Sequence, residues 1–562
     1  MTRPRAVPRL RGACLPILVS LCLVAPAAAD GPRKERHGMV VAVSPPGAEV
    51  GRDVLLRGGN AVDAAVATAF AMAVTYPAAG NIGGGGFMLV FPGGKAEPVV
   101  IDYREKAPLA ASATMYTKKD TWYSHKAAGV PGTVRGLALA HARFGKLPWK
   151  EVVLPAVRLA EDGFQIDDSL AGSLNWAVGS SNDGSEMRRV LGKTGDSSWR
   201  AGDRLIQKDL GRTLRRIAEQ GPDGFYKGAV ADLIVAEMKR GDGIITHRDL
   251  AEYRAWARKP VHGTYRGYDV YGPPPPSSGG TCLVEMLNVL ENFDLRKQGR
   301  WSPETLHVMI ETMRRAYCDR ARYLGDQDFV RVPAFLTSKE YAKKLAASID
   351  LKHATRSEDL AREIPLKNEG DSTTHFSVID ADGMAVANTY TLERSYGSRI
   401  VVRGAGFLLN NEMMDFNWFP GETTRDGQIG TAANQIAPGK RMLSSQTPTV
   451  VAKDGKAVLI TGSPGSRTII NTVLCVVVNV IDFGMDVRSA VDAPRLHHPW
   501  FPDEARFEGA SEHPAAVARL RAMGHSISGT RQGDAHTIWV DPKTGRYVGA
   551  EDHRINGKAA GF

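Results

Sequence analysis

Gly370-Asp371-Ser372-Thr373-Thr374-His375-Phe376-Ser377-Val378 is the stretch on which the reading of this 562-residue chain turns. A polar segment, His353 to Ser372, leads up to it. After it the residues alternate: His375, Phe376, Ser377, Val378, Ile379, then Asp380-Ala381-Asp382-Gly383, then Met384 to Leu392. Such alternation around a Gly-containing turn predicts a β-hairpin. With Ala381-Asp382-Gly383 as the turn and Gly383 left-handed, Asp380 pairs with Met384, and counting back pairs Thr373 with Thr391. A one-residue slip would undo that pairing. A threonine hydroxyl is a weak nucleophile until a base takes its proton. Cutting the Ser372–Thr373 bond would give Thr373 a free α-amine, of ordinary pKa about 7.7–8.0, to act as that base. Thr-rich strands are ordinarily only strands, so the rest of the chain must carry the case.

The first 29 residues read as a signal peptide. Arg3, Arg5, Arg9 and Arg11 precede an apolar run, Ala13 to Val24, and Ala27-Ala28-Ala29 offers a small-residue cleavage site. No later run has the length of a membrane helix, so the sequence predicts an exported protein, periplasmic or secreted. The net charge of +10 falls to +6 without those four arginines. The charges are mixed rather than striped and aromatics are only 7%, which argues against a nucleic-acid partner. Of five cysteines, Cys282, Cys318 and Cys475 remain after the signal, an odd number with no CxxC spacing. Cys475, in an apolar run, reads as core. His497-His498 lacks the spacing of a helical metal pair, and neither a metal nor an organic cofactor is expected.

From His37 the chain reads as a strand (Met39 to Val43), a helix, an N-cap at Asn60 and an apolar helix from Ala61 to Thr75. The run Gly80-Asn81-Ile82-Gly83-Gly84-Gly85-Gly86 precedes a strand instead of opening a helix, which disfavours phosphate binding and favours close backbone approach. Arg104, at the end of the strand from Val99, reads either as a carboxylate clamp or as half of a surface ion pair. Residues about 125–355 read as mostly helical, interrupted by a stiff Pro-rich connector, Tyr271 to Gly280. Beyond the hairpin, Ser398 to Arg403 and Gly406 to Asn411 read as strands. A long loop from about Phe416 to Arg441 has the length of a functional lid. A strand pair then leads into Ser463-Pro464-Gly465-Ser466 and a helix. The N–H groups of Gly465 and Ser466 could serve an oxyanion, or simply begin a helix.

Taken together, the chain resembles the γ-glutamyltransferase (glutathione hydrolase) family of N-terminal-nucleophile hydrolases over nearly its whole mature length. The resemblance rests on Gly59-Asn60-Ala61-Val62-Asp63-Ala64-Ala65, Gly80 to Gly85, Asp102-Tyr103-Arg104-Glu105, Val130 to Thr133, Thr373 to Ser377, Leu409 to Met413, Leu443-Ser444-Ser445 and Gly462 to Gly465. It implies an α/β fold, a four-layer αββα sandwich, built jointly by a large subunit (30–372) and a small catalytic subunit (373–562). It implies Thr373 as nucleophile and Thr391 as supporting hydroxyl. Arg104, Ser444 and Ser445 would clamp the substrate α-carboxylate, Glu412 and Asp415 would accept its α-ammonium, and Gly465 and Ser466 would bind the oxyanion. The implied activity is hydrolysis of glutathione or related γ-glutamyl compounds, or γ-glutamyl transfer to an amino acid or peptide. Three positions depart from the family pattern. Glu393 stands where many members have Asn, adding a third carboxylate; Ser466 stands where Gly is usual; and Asp426 stands where the lid often has Tyr, with Trp418 or Phe419 as candidates to compensate. The alternatives are a glutaryl-cephalosporin-type acylase on the same scaffold and an extracytoplasmic binding protein that never matures.

Overall fold

The computed structural model describes residues 33–35, 37–94, 96–181, 185–195, 197–364, 374–425 and 429–562. The signal segment, Ser372, Thr373 and Asp426 lie outside the described residues.

Two seven-stranded sheets face each other. The first runs, edge to edge, Lys558–Gly561, Gly38–Ala42, Thr374–Asp380, Ala385–Thr391, Gly85–Phe91, Val99–Asp102 and Trp256–Arg258. The second runs Arg33–Glu35, Tyr547–Ala550, Thr537–Val540, Lys456–Thr461, Thr449–Lys453, Tyr268–Gly272 and Val261–Tyr265. The central strands of the first sheet are buried on both faces, and in both sheets the period of two sorts side chains between two cores. Gly38–Ala42 sends Met39 and Val41 into the space between the sheets and Val40 and Ala42 toward the helices outside. Gly85–Phe91 does the same with Phe87 and Leu89 against Met88 and Val90. In the second sheet Val450 and Ile460 face inward, while Val451 and Leu459 pack outward on the helices Gly279–Leu290, Pro303–Tyr323 and Thr468–Ile481. Three stacked cores therefore define four layers, αββα, as the sequence leads one to expect.

The hairpin sits near the middle of the first sheet, between Gly38–Ala42 and Gly85–Phe91. Its register is the counted one: Asp380 N–H donates to Met384, Ile379 opposes Ala385, and the ladder runs down to Thr374 opposite Tyr390. Gly383 takes the left-handed turn position at φ 82°. The segments before and after Thr373 share both sheets, so they are one body and not two domains.

The buried helix Ala61–Thr75 is closed by a capping box. Asn60 Oδ1 accepts from the N–H groups of Val62 and Asp63, and the Asp63 carboxylate accepts from Asn60 N–H. The middle of the chain is mostly helical, as read, and carries one hairpin that was not anticipated: Val261–Tyr265 and Tyr268–Gly272 are joined by a two-residue turn, Arg266-Gly267, with both φ angles positive (51° and 81°). One expectation is corrected. Ser398 to Arg403 and Gly406 to Asn411 are not strands but a turn-rich segment held by one bridge, Val401 to Leu408. There the backbone bends through Arg399, Gly404 and Gly406, all at positive φ, which breaks the ladder. Among the described residues Cys282, Cys318 and Cys475 are free and buried.

Candidate active site

At one end of the sandwich the inter-sheet layer changes from apolar to polar. The inward-facing positions of the hairpin there are His375, Ser377, Thr389 and Thr391. His375 Nδ1 lies 2.8 Å from Thr389 Oγ1, its Nε2 lies 3.1 Å from Ser377 Oγ, and that hydroxyl donates to the His536 carbonyl at 2.8 Å. Burial, helped by the neighbouring His536, pushes the His375 imidazole well below its ordinary pKa, so it is neutral. Thr391 is fully buried, and its Oγ1 accepts the Glu393 N–H at 2.7 Å. Its own proton is thereby left to point elsewhere.

The glycine run holds this strand end in place. A Cβ on Gly84 would lie 1.9 Å from the Thr391 carbonyl oxygen, one on Gly83 2.1 Å from the Leu408 oxygen, and one on Gly86 2.4 Å from the Thr389 oxygen. The loop is glycine because backbone of the hairpin and of Leu408 occupies the space side chains would need, which is the close approach its sequence suggested. Asn81 spends its whole amide here: Nδ2 donates to the Thr391 and Ala79 carbonyls, and Oδ1 accepts from Gly84 N–H and Thr133 Oγ1. Asn410 does likewise, joining Gly83, Gly129 and the Glu412 N–H.

Beside the hairpin opens a cavity of about 150 Å³ whose walls include Arg104, Glu393, Asp415, Ser444, Ser445 and Ser466. Arg104 is buried and no surface residue. Asp102 accepts its backbone N–H at 3.0 Å, and its Nε donates to the Met442 carbonyl at 3.3 Å. Its guanidinium lies 2.5 Å from Glu412, in an ion pair off the hydrogen-bonding direction, and donates to Asp415. Carboxylate oxygens of Glu393, Glu412 and Asp415 all lie within 4.8 Å of one another. The expected crowding of three acids is therefore real. Burial raises Glu412 and Asp415 above the ordinary carboxylate range and Arg104 pulls both back; the neighbouring acids add to the rise at Glu412, while Arg320 and Arg394 help Arg104 lower Asp415. Glu105, buried behind Arg104, is pushed up to about 8 by desolvation, which the guanidinium only partly offsets.

The Gly465-Ser466 turn opens the helix Thr468–Ile481, with φ of 120° and 48°. Among the described residues neither N–H has a partner, and Ser466 lines the cavity. The lid segment is better anchored than its composition suggests: Asn434 Nδ2 donates to the Asp415 carbonyl, and Asn434 Oδ1 accepts from Leu443 N–H. Trp418 stacks on Tyr116 at 3.8 Å between ring centroids, and both Trp418 and Phe419 border the cavity.

Sequence reasoning missed two contributors. The Pro-rich segment is more than a connector: Ser277 bridges to Ser444 in parallel, and Ser278 N–H and Oγ both donate to the Ser444 carbonyl. Arg320, on the helix Pro303–Tyr323, reaches the cavity and donates to Ser278 Oγ and Ser445 Oγ. Its period on an amphipathic helix was the only signal, and nothing in that period separates it from the structural arginines Arg314 and Arg315.

A layered αββα body with a hydroxyl-rich hairpin at the mouth of its inner layer defines the class of the N-terminal-nucleophile hydrolases. The family model for gamma-glutamyltranspeptidase matches residues 47–562. The glutathione hydrolase proenzyme of Escherichia coli K12 is 45% identical over 548 residues, covering 94% of this chain and 93% of that one. Among solved structures, the cephalosporin acylase from Bacillus halodurans superposes with a TM-score of 0.84 at 27% identity, over 96% of this chain and 99% of that one. The Helicobacter pylori gamma-glutamyltranspeptidase gives a TM-score of 0.53 at 44% identity, over 55% and 91% of the two chains. This chain belongs to the γ-glutamyltranspeptidase family, and it is an enzyme of the threonine N-terminal-nucleophile type.

Proposed function

We propose that this protein is a self-processing γ-glutamyl hydrolase and transpeptidase that acts on glutathione and related γ-glutamyl amides. Cleavage between Ser372 and Thr373 leaves a large subunit, 30–372, and a small one, 373–562, paired as a heterodimer. Thr373 Oγ attacks the γ-carbonyl carbon and its own α-amine takes the hydroxyl proton. Thr391 steadies the nucleophile. The N–H groups of Gly465 and Ser466 receive the oxyanion. The C–N bond breaks, the amine leaves with a proton, and water or an acceptor amine then takes the glutamyl group from the ester. The protein works after export, in the periplasm or outside the cell; no helix among the described residues is long and apolar enough to cross a membrane.

One observation carries the substrate class: Arg104, Glu393 and Asp415 meet beside Ser444 and Ser445 on one cavity, with the Glu412 carboxylate buried against them. Unliganded, Arg104 and the acids neutralise one another. An α-amino acid end group exchanges that ion pair for two, its carboxylate against Arg104 and the serines, its ammonium against Glu412 and Asp415. A glutaryl group offers only the carboxylate, and would draw Arg104 away from acids that then lose their ion-pair partner. The likeness to a cephalosporin acylase supports that rival reading. Comparing hydrolysis of γ-glutamyl and glutaryl anilides decides between them, and a glutaryl preference overturns ours. A denaturing gel tests maturation: wild type should give two pieces, the smaller beginning at Thr373, and Thr373→Ala one.

A further inference from the structure

Arg320 is 8% exposed and has no carboxylate partner among the described residues. That is unusual, because a buried guanidinium is ordinarily paired. The other buried arginines nearby are: Arg104 with Glu412 and Asp415, Arg314 with Asp503, Arg315 with Glu311. Arg320 instead holds two hydroxyls, Ser278 Oγ at 2.9 Å through Nε and Ser445 Oγ at 3.0 Å through Nη2, and it faces the cavity.

The two serines differ in what their protons do. Ser278 Oγ accepts from Arg320 and passes its proton to the Ser444 carbonyl at 2.6 Å, which pins the Ser444-Ser445 backbone. Ser445 Oγ also accepts from Arg320, but its hydroxyl has no acceptor among the described residues. With a lone pair committed to the guanidinium, its proton is directed away from Arg320, and the cavity is the open side. A hydroxyl so polarised, backed by a guanidinium that has no carboxylate in ion-pair contact and acts on Asp415 only from a distance, is a donor awaiting an anion.

We infer that Arg320 is a positioning residue for the substrate's α-carboxylate: it orients Ser445 as a donor to that group and supplies the charge that Arg104, shared among Glu412, Asp415 and Glu105, does not. This rests on the γ-glutamyl reading. Arg320 thus adds a cation beside Arg104, and the Pro-rich segment, through Ser278, is what holds it.

The test uses the matured enzyme and two chromogenic anilides, γ-glutamyl and 4-aminobutyryl, which differ only in the α-carboxylate. Arg320→Met should lower kcat/KM for the γ-glutamyl anilide about 10- to 100-fold, mostly through KM, and leave the 4-aminobutyryl anilide within about threefold. Arg320→Lys should recover part of the loss. Ser445→Ala should give a similar loss, and the double variant Arg320→Met/Ser445→Ala should be no worse than the more affected single one. Equal losses on both anilides would overturn the proposal in favour of a structural role. So would a loss seen with glutathione but not with the γ-glutamyl anilide, which would place the leaving group's carboxylate at Arg320. If Arg320→Met does not mature, Arg320→Lys and Ser445→Ala carry the same comparison. Failure of the wild type to cleave either anilide would count against the γ-glutamyl reading itself, a distinguishable result.

Discussion

Replacing Gly84 by Ala should damage the enzyme more than any other single methyl group added to this loop. The new Cβ would sit 1.9 Å from the Thr391 carbonyl oxygen and 2.8 Å from Asn81 Oδ1. Ordinary contact begins near 3.4 Å, so loop or strand must retreat by about 1.5 Å. Neither can yield freely. The Thr391 carbonyl accepts from Asn81 Nδ2 at 2.9 Å, and the Gly84 carbonyl accepts from Gly132 and Thr133 N–H at 2.7 and 3.0 Å. Overpacking of a rigid interior costs about 1–3 kcal/mol, and one broken buried hydrogen bond about 1–3 more, so the loss should be about 2–6 kcal/mol. For a chain of this length 1 kcal/mol moves Tm by about 1 °C. The expected drop is therefore about 2–6 °C, with turnover of the γ-glutamyl anilide falling in parallel because the displaced carbonyl belongs to Thr391. Gly172→Ala is the control: it is exposed on the helix Asp168–Gly179 with nothing near its Cβ, and should be neutral or stabilising by about 0.5–1 kcal/mol. A Gly84→Ala enzyme that melts within 1 °C of wild type and turns over normally would refute the reasoning.

Ser466 carries its N–H at φ 48°, where a side chain is strained and glycine is not. Ser466→Gly should raise Tm by about 1 °C, for about 1 kcal/mol of relieved strain, and keep kcat, since the N–H is unchanged; a kcat loss of tenfold would show that the hydroxyl matters. Acid should destabilise the protein through His498 and His525, which burial holds neutral at pKa about 4 and about 3. Their pKa values are depressed from about 6.5, so the stability they contribute is complete above pH 6.5 and is lost as pH falls through 4 toward 3. The loss should be on the order of 3 kcal/mol for His498 alone, read as a falling Tm between pH 6.5 and 4; a flat Tm would refute it.

Most of the fold was legible because both sheets are built from period-two strands with unambiguous turns. The hairpin register followed from Gly383 alone, since only a left-handed residue there closes the turn. The helix Ala61–Thr75 followed from Asn60 and an apolar run ended by Pro77. What failed has local causes. Val261–Tyr265 is an edge strand with alternating exposure, and its Arg-Gly turn carries the positive φ angles in a non-standard first residue. The segment from Ser398 to Asn411 has the composition of strands, but tertiary anchoring by Asn410 and Asn411 overrides propensity. At the site, residue identity pointed to Arg104 and the acids. It could not show that they bind one another in the free enzyme, nor that Arg320 comes in from 216 positions along the chain at a glance indistinguishable from its helix neighbours.

Glu393 joins the two halves of the site, and separating its two roles is the sharpest check on the geometry. Its backbone sits at φ 75°, in the left-handed region, and this turn is what brings its N–H onto Thr391 Oγ1 at 2.7 Å. Its carboxylate meanwhile stands within 4.8 Å of Glu412 and Asp415, raising Glu412 by like charge. Glu393→Asn divides the roles. Asn tolerates left-handed backbone better than Glu, so the N–H stays on Thr391 and kcat should hold. One negative charge leaves the cluster, so the remaining acids ionise more readily. Glu412 and Asp415 must be ionised to hold an ammonium, and their pKa values lie above the ordinary range. In the wild type KM for a γ-glutamyl anilide should therefore rise as pH falls through those raised values, and in Glu393→Asn the same rise should begin at lower pH. A kcat loss of tenfold with an unchanged KM profile would mean that the side chain, and not the backbone, serves Thr391, and that the three acids do not act as one group.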